Sequence, residues 1–174
     1  INTYLCIMNK RVEQARDFAI KWHGDQKYGT EPYVSHLDDV HEVGLLYDTD
    51  VDEQCADYLH DVLEDTDCTF EEIWSNFGWN VAQLVFLVSD EDGDNRKERK
   101  QRTYPKIRSN SGAILLKLRD RIANVERSKQ NNPRLFQMYK NEHEEFLTEL
   151  HISGTRYGTL GEMINHLNRV IDVN

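Results

Sequence analysis

Cysteine is scarce in this chain, and the three that occur, Cys6, Cys55 and Cys68, are odd in number and without CxxC spacing. That argues against a disulfide framework and a thiolate zinc site, and suits a reducing, intracellular setting. Long apolar runs are missing as well. Nothing approaches the roughly 18 consecutive apolar residues that a membrane span needs, and the first residues carry neither the basic start nor the apolar stretch of a secretion signal. The expectation is a soluble, cytoplasmic protein with no membrane partner. Basic charge is in deficit, 21 Lys and Arg against 31 Asp and Glu for a net charge of −10. The average surface therefore repels a nucleic-acid polyanion, and no nucleic-acid partner is expected. Sustained period-2 alternation, internal repeats and low-complexity tracts are also lacking, which sets aside sheet and solenoid architectures.

What remains is a chain of 174 residues, 39% of them hydrophobic, enough for one core and one domain. We divide it into an N-terminal extension over 1–8, with Met8 a candidate start, and a domain over 9–174. Val12, Ala15, Phe18, Ala19 and Trp22 recur at helical spacing, as do Val34, Leu37, Val40 and Val43 after the turn-like Gly29-Thr30-Glu31-Pro32. A third helix carries Cys55, Leu59, Val62 and Leu63 and stops near Asp65. Thr69 with Glu72 forms a capping box that opens a fourth, and Val81 to Val88 make a fifth. Ser111 is expected to cap a strongly apolar helix through Val125, and two more close the chain. The predicted fold is all-α, an irregular helical bundle. Trp22, Trp74 and Trp79 read as core or helix-packing residues.

Chemistry concentrates on a few side chains. His60-Asp61 lies in Leu59-His60-Asp61-Val62-Leu63-Glu64-Asp65-Thr66, where continuous helical spacing would set Glu64 over His60 and Asp65 over Asp61. Four ionisable groups around one cavity are costly without a cation. A His-Asp dipeptide alone carries little weight, and Asp120 alone could be paired with Arg119 or Arg121. Joined by His36, however, His60, Asp61 and Asp120 make a two-His, two-carboxylate set that suits a six-coordinate divalent ion with positions left for water and a phosphate oxygen. Mixed nitrogen and oxygen donors favour Mn²⁺, Fe²⁺, Co²⁺ or Zn²⁺ over Ca²⁺. Arg96, Arg99 and Lys100 share one side of a predicted helix and could grip a polyphosphate, although such a run is as readily a solvated face.

The order H…HD…D resembles the HD superfamily of metal-dependent phosphohydrolases. Beyond that signature, His23-Gly24-Asp25-Gln26, Gly29 to His36, His60-Asp61-Val62-Leu63-Glu64-Asp65-Thr66 and Lys117 to Asn124 resemble the hydrolase domain of the RelA/SpoT family and its single-domain relatives, the small alarmone hydrolases. The likeness runs over about 12–173, and no synthetase or regulatory domain is expected to follow. It implies that His36, His60, Asp61 and Asp120 bind Mn²⁺ or another divalent transition metal, and that Glu64 and Asp65 orient or deprotonate the attacking water. It implies further that Asn124 contacts a small nucleotide substrate, with Lys27, Tyr28, Arg96, Arg99, Lys100 and Tyr139 around it. The implied reaction removes pyrophosphate from the 3′ position of guanosine tetra- or pentaphosphate, leaving GDP or GTP. Lys27-Tyr28 stands where relatives often carry Arg-Lys, with Tyr28 offering stacking in place of a cation, and Arg119 replaces the small residue usual before the metal-binding Asp. The alternatives are an HD phosphohydrolase for another nucleotide, as an NADPH 2′-phosphatase or deoxynucleotide phosphohydrolase, and a non-catalytic nucleotide-binding protein.

Overall fold

The computed structural model describes the backbone of residues 2–171 and the side chains of 10–171. Its elements are α1 (Asn2–His23), a hairpin of β1 (Lys27–Tyr28) and β2 (Glu31–Pro32), α2 (Val34–Leu45), α3 (Val51–Leu59) and α4 (Val62–Asp65). Then follow α5 (Phe70–Phe77), α6 (Trp79–Val88), α7 (Arg96–Ile107), α8 (Ser111–Asn131), α9 (Pro133–Glu149) and α10 (Gly158–Ile171). The fold is all-α, as the periodicity predicts, apart from the short antiparallel hairpin, in which Lys27 faces Pro32 and Tyr28 faces Glu31. Gly29 turns that hairpin at φ +64°, a conformation that a Cβ would strain. Among the described residues, no helix is long and apolar enough to cross a membrane.

α8 is the axis of the molecule. Leu116, Leu118, Ile122 and Val125 are wholly buried on it, and α2, α3, α6, α9 and α10 pack around it. Its cap differs from the expected one: the Asn110 side chain, not Ser111, accepts from the Ala113 amide at 3.1 Å. Asn110 has the extended backbone that an N-cap requires, whereas Ser111 is already helical. At α5 the Thr69–Glu72 capping box forms as read. The backbone of 2–8 is continuous with α1, there being no glycine or proline before Gly24 to interrupt it. The expected extension is therefore not set apart from that helix, and residue 1 and the side chains of 1–9, Cys6 among them, lie outside the described residues. Cys55 and Cys68 are free and buried.

One departure bears on the site. The third predicted helix is broken: α3 ends at Leu59 and α4 starts at Val62, with His60 and Asp61 in the turn between. The Glu64 amide bonds to the Asp61 carbonyl at 3.2 Å, which draws Glu64 off its regular place over His60, whereas the Asp65 amide keeps the helical bond to the Asp61 carbonyl at 2.9 Å and Asp65 stays one turn above Asp61. Trp74 and Trp79 are about half exposed. They pack edge to face at 5.8 Å and join α5 to α6 at the surface, the helix-packing role of the two expected for them.

Candidate metal centre and its cleft

The four candidate ligands are delivered by three local devices. His36 lies in the first turn of α2 and is buried. Asp120 projects from the middle of α8. His60 and Asp61 occupy the α3–α4 turn, where both keep right-handed helical backbone angles, and their side chains, about 100° apart, converge from the side on which both lean. His36 Nε2 is 3.4 Å from Asp120 Oδ1 and 3.6 Å from Asp61 Oδ2; His60 Nε2 is 3.0 Å from Asp61 Oδ2 and 3.8 Å from Asp120 Oδ1. One donor atom from each of His36, His60 and Asp120 falls within 4.8 Å of the others. Asp61 stands at the edge of this group, where the Tyr33 hydroxyl donates to its Oδ2 at 2.6 Å.

The donor set fits a divalent cation. His60 Nδ1 lies 2.9 Å from the Asp57 carbonyl, which can only accept, so Nδ1 carries a proton and Nε2 is the nitrogen turned to the cavity. That Nε2 is buried and has no hydrogen-bond partner, a costly arrangement unless a ligand takes it up. The field has the right sign as well. Burial opposes charge on His36, yet Asp120 and Asp61 override it and raise the imidazole to about 9; His60 is raised against burial in the same way by Asp61 and Asp120. Burial likewise opposes charge on both carboxylates. The two imidazoles hold Asp61 well below the usual carboxylate range, and Lys117 with the imidazoles does the same for Asp120. The cavity therefore favours positive charge, and its carboxylates are ready to coordinate.

The ion-pair partner of Asp120 is neither arginine considered from the sequence. Lys117, one turn earlier on α8, reaches Asp120 Oδ2 at 3.1 Å. Burial disfavours its charge, but Asp120, Asp61, Asp90 and Glu64 together raise its pKa. Arg119 turns inward to Asp57 instead.

A cleft of about 270 Å³ opens over the centre, and Tyr28, Glu64, Lys100, Asn124 and Tyr139 are among its walls. Glu64 accepts from the Asp90 amide at 3.0 Å, and its pKa is raised chiefly by desolvation. Asp65 does not line the cleft. It accepts from Gln26 Nε2 at 2.8 Å, and its charge lies near the Tyr33 hydroxyl that donates to Asp61. The Tyr28 hydroxyl donates to Asn124, whose amide donates in turn to Asp120. One face of the Tyr28 ring is stacked on His36, 4.7 Å between centroids, and Arg127 lies 5.4 Å from its centre. Tyr28 is thus committed to the centre and is not a free platform for a base.

Across the cleft, Arg96, Lys100 and Arg121 converge on Glu142 at 3.3, 2.6 and 3.4 Å. Arg121 is packed over the Tyr139 and Phe146 rings, 4.3 and 4.8 Å from their centres. Of the other predicted contacts, Lys27 is exposed on β1, and Arg99 pairs with Asp90 at 3.7 Å; neither lines the cleft. The sequence reading did not single out Tyr33, Lys117, Arg121 or Glu142. Lys117 had a usable signal, three residues before Asp120 on one helix face; Glu142 had none, because its partners are 21–46 residues away.

The HD-domain family pattern matches residues 15–145. The chain is 38% identical over 125 residues to a guanosine-3′,5′-bis(diphosphate) 3′-pyrophosphohydrolase of Aquifex aeolicus, covering 67% of this chain and 17% of that protein. It is 37% identical over 122 residues to the Homo sapiens pyrophosphohydrolase MESH1, covering 64% of this chain and 66% of that one. The matches thus span less than two thirds of these relatives' own lengths. In three dimensions it resembles a metazoan ortholog of SpoT described as hydrolysing ppGpp, with a TM-score of 0.71, 27% identity and coverage of 91% and 94%. A Listeria monocytogenes protein shares the fold at 20% identity and a TM-score of 0.63, over 79% of this chain and 99% of that one. With the family pattern extending over more than half its length, the chain belongs to the HD-domain family.

Proposed function

We propose that this chain is a Mn²⁺-dependent (p)ppGpp 3′-pyrophosphohydrolase, converting guanosine tetra- or pentaphosphate to GDP or GTP and pyrophosphate. The observation that carries the reading is the buried His36, His60 and Asp120 group, with Asp61 beside it, at the base of a cleft whose far wall is cationic. The names of the bacterial and animal relatives agree with it. His36, His60, Asp61 and Asp120 would hold the ion, which, when bound, supplies Lewis acidity and offsets charge on the phosphoryl oxygens.

The chain's own residues divide the remaining work. Glu64 lines the cleft and has a pKa raised by desolvation. It is suited to accept a proton from water approaching phosphorus and to return it to the leaving group. Asp65 acts at one remove, holding Tyr33 against Asp61 and so fixing the angle of that carboxylate. Lys117 balances Asp120 and presents an ammonium to the scissile phosphate. Asn124, held between Tyr28 and Asp120, keeps that carboxylate in place at the substrate-facing wall. Arg96, Lys100 and Arg121 lie where the rest of the anion would extend, with Tyr139 beneath them. Lys27 and Arg99 would reach substrate only by moving from their present positions. The test is product analysis with ppGpp: pyrophosphate and GDP support the reading, whereas orthophosphate from NADPH, or products from deoxynucleotides alone, would assign the site to another nucleotide.

A further inference from the structure

Arg119 and Asp57 form an ion pair in the interior, with side chains 1% and 0% exposed and Arg119 Nε donating to Asp57 Oδ1 at 2.6 Å. Such a pair adds little net stability, because desolvation of the two charges consumes most of their attraction. This one is also incompletely satisfied. Asp57 Oδ2, Arg119 Nη2 and the neighbouring His41 Nδ1 are buried without hydrogen-bond partners, and Glu53 adds a second carboxylate 3.6 Å from Arg119 Nη1. Stability alone does not account for it.

Its position does. The backbone carbonyl of Asp57 fixes the His60 ring through Nδ1, while its carboxylate holds the residue next to Asp120. The same carboxylate rests on Gly44 of α2, where a Cβ would come within 2.4 Å of Asp57 Oδ2. The three helical segments that present His36, His60 with Asp61, and Asp120 therefore meet at one buried carboxylate. We propose that the Asp57–Arg119 pair is a positioning device for the candidate metal centre, setting the spacing of α2, α3 and α8 at which the ligands converge. The inference rests on the metal-centre reading above. It assigns to Arg119 a role in aligning Asp120 without touching substrate.

The test uses the full chain and Mn²⁺ alone as the probe. Wild type, the double variant Asp57→Ala/Arg119→Met, which removes both charges, and Arg119→Lys, which keeps the charge but loses the fork, are compared by calorimetric titration with Mn²⁺ and by melting in EDTA. The double variant is expected to fold with little change in its metal-free melting temperature and to bind Mn²⁺ about 10–100-fold more weakly, as loss of an outer-shell partner does. Arg119→Lys is expected to fall between. Unchanged Mn²⁺ affinity in a folded double variant overturns the proposal, and so does an unfolded double variant, which would make the pair a requirement of the fold. Absence of Mn²⁺ binding by wild type would instead refute the metal-centre reading.

Discussion

Glu142 joins three cations that would otherwise crowd one another on the far wall of the cleft, and Glu142→Gln isolates what that carboxylate contributes. Burial opposes its charge, but hydrogen bonds from Arg96 and Lys100 outweigh burial and bring its pKa from 4.5 to about 2. That difference corresponds to roughly 3 kcal/mol at about 1.36 kcal/mol per pH unit; screening at the cleft rim reduces it to roughly 1–2 kcal/mol. For a chain of this size, about 2–4 °C per kcal/mol, the variant should melt roughly 2–8 °C lower near neutral pH. The sign follows from linkage. A carboxylate whose folded pKa is depressed stabilises fully above its unfolded value and loses that contribution as pH falls through the folded one. The gap between wild type and Glu142→Gln should therefore be complete above about pH 5 and close as pH approaches about 2. Thermal melts followed by circular dichroism in EDTA across that range read it directly. A gap independent of pH, or no destabilisation near neutrality, would refute the reasoning. In turnover assays the same substitution frees the cations for an anionic substrate, so KM should fall.

Four other substitutions test separate parts of the account. His60→Ala should abolish the rise in melting temperature that Mn²⁺ gives wild type, a stabilisation of about 2.7 kcal/mol at a hundredfold excess over Kd; a retained rise, seen by thermal shift, would remove His60 from the ligand set. Glu64→Gln should leave the Mn²⁺-dependent shift intact and lower kcat by about 10²–10⁴-fold, and loss of metal binding in that variant would show that Glu64 is a ligand. Asn110→Ala should cost about 1 kcal/mol in urea unfolding, within the usual range for a lost N-cap, while Ser111→Ala should change stability by less than about 0.5 kcal/mol. The reverse order would return the cap of α8 to Ser111.

Features set by local pattern were legible in the sequence. The apolar spacing of Leu118, Ile122 and Val125 predicts α8, and Thr69 with Glu72 predicts the start of α5, because both signals lie within a turn or two of the residues they govern. His36, His60, Asp61 and Asp120 could be chosen for their donor chemistry. Their convergence could not be read from periodicity, which carried one helix straight through 60–61 where the backbone turns. Within α4, Glu64 faces the cleft wall and the next residue, Asp65, faces Gln26, because consecutive helical side chains point about 100° apart. Pairing across distance was equally hidden. Arg119 chooses Asp57, 62 residues away, over its neighbour Asp120, and Glu142 collects cations from α7 and α8. These choices depend on which helices pack together, and a single sequence does not display that.

The most direct test of the central claim is to incubate the metal-loaded protein with ppGpp, beside an EDTA control, and to resolve the products by anion-exchange chromatography. The account predicts Mn²⁺-dependent GDP and pyrophosphate in equal amounts. Intact ppGpp after incubation with folded, Mn²⁺-loaded protein would contradict it.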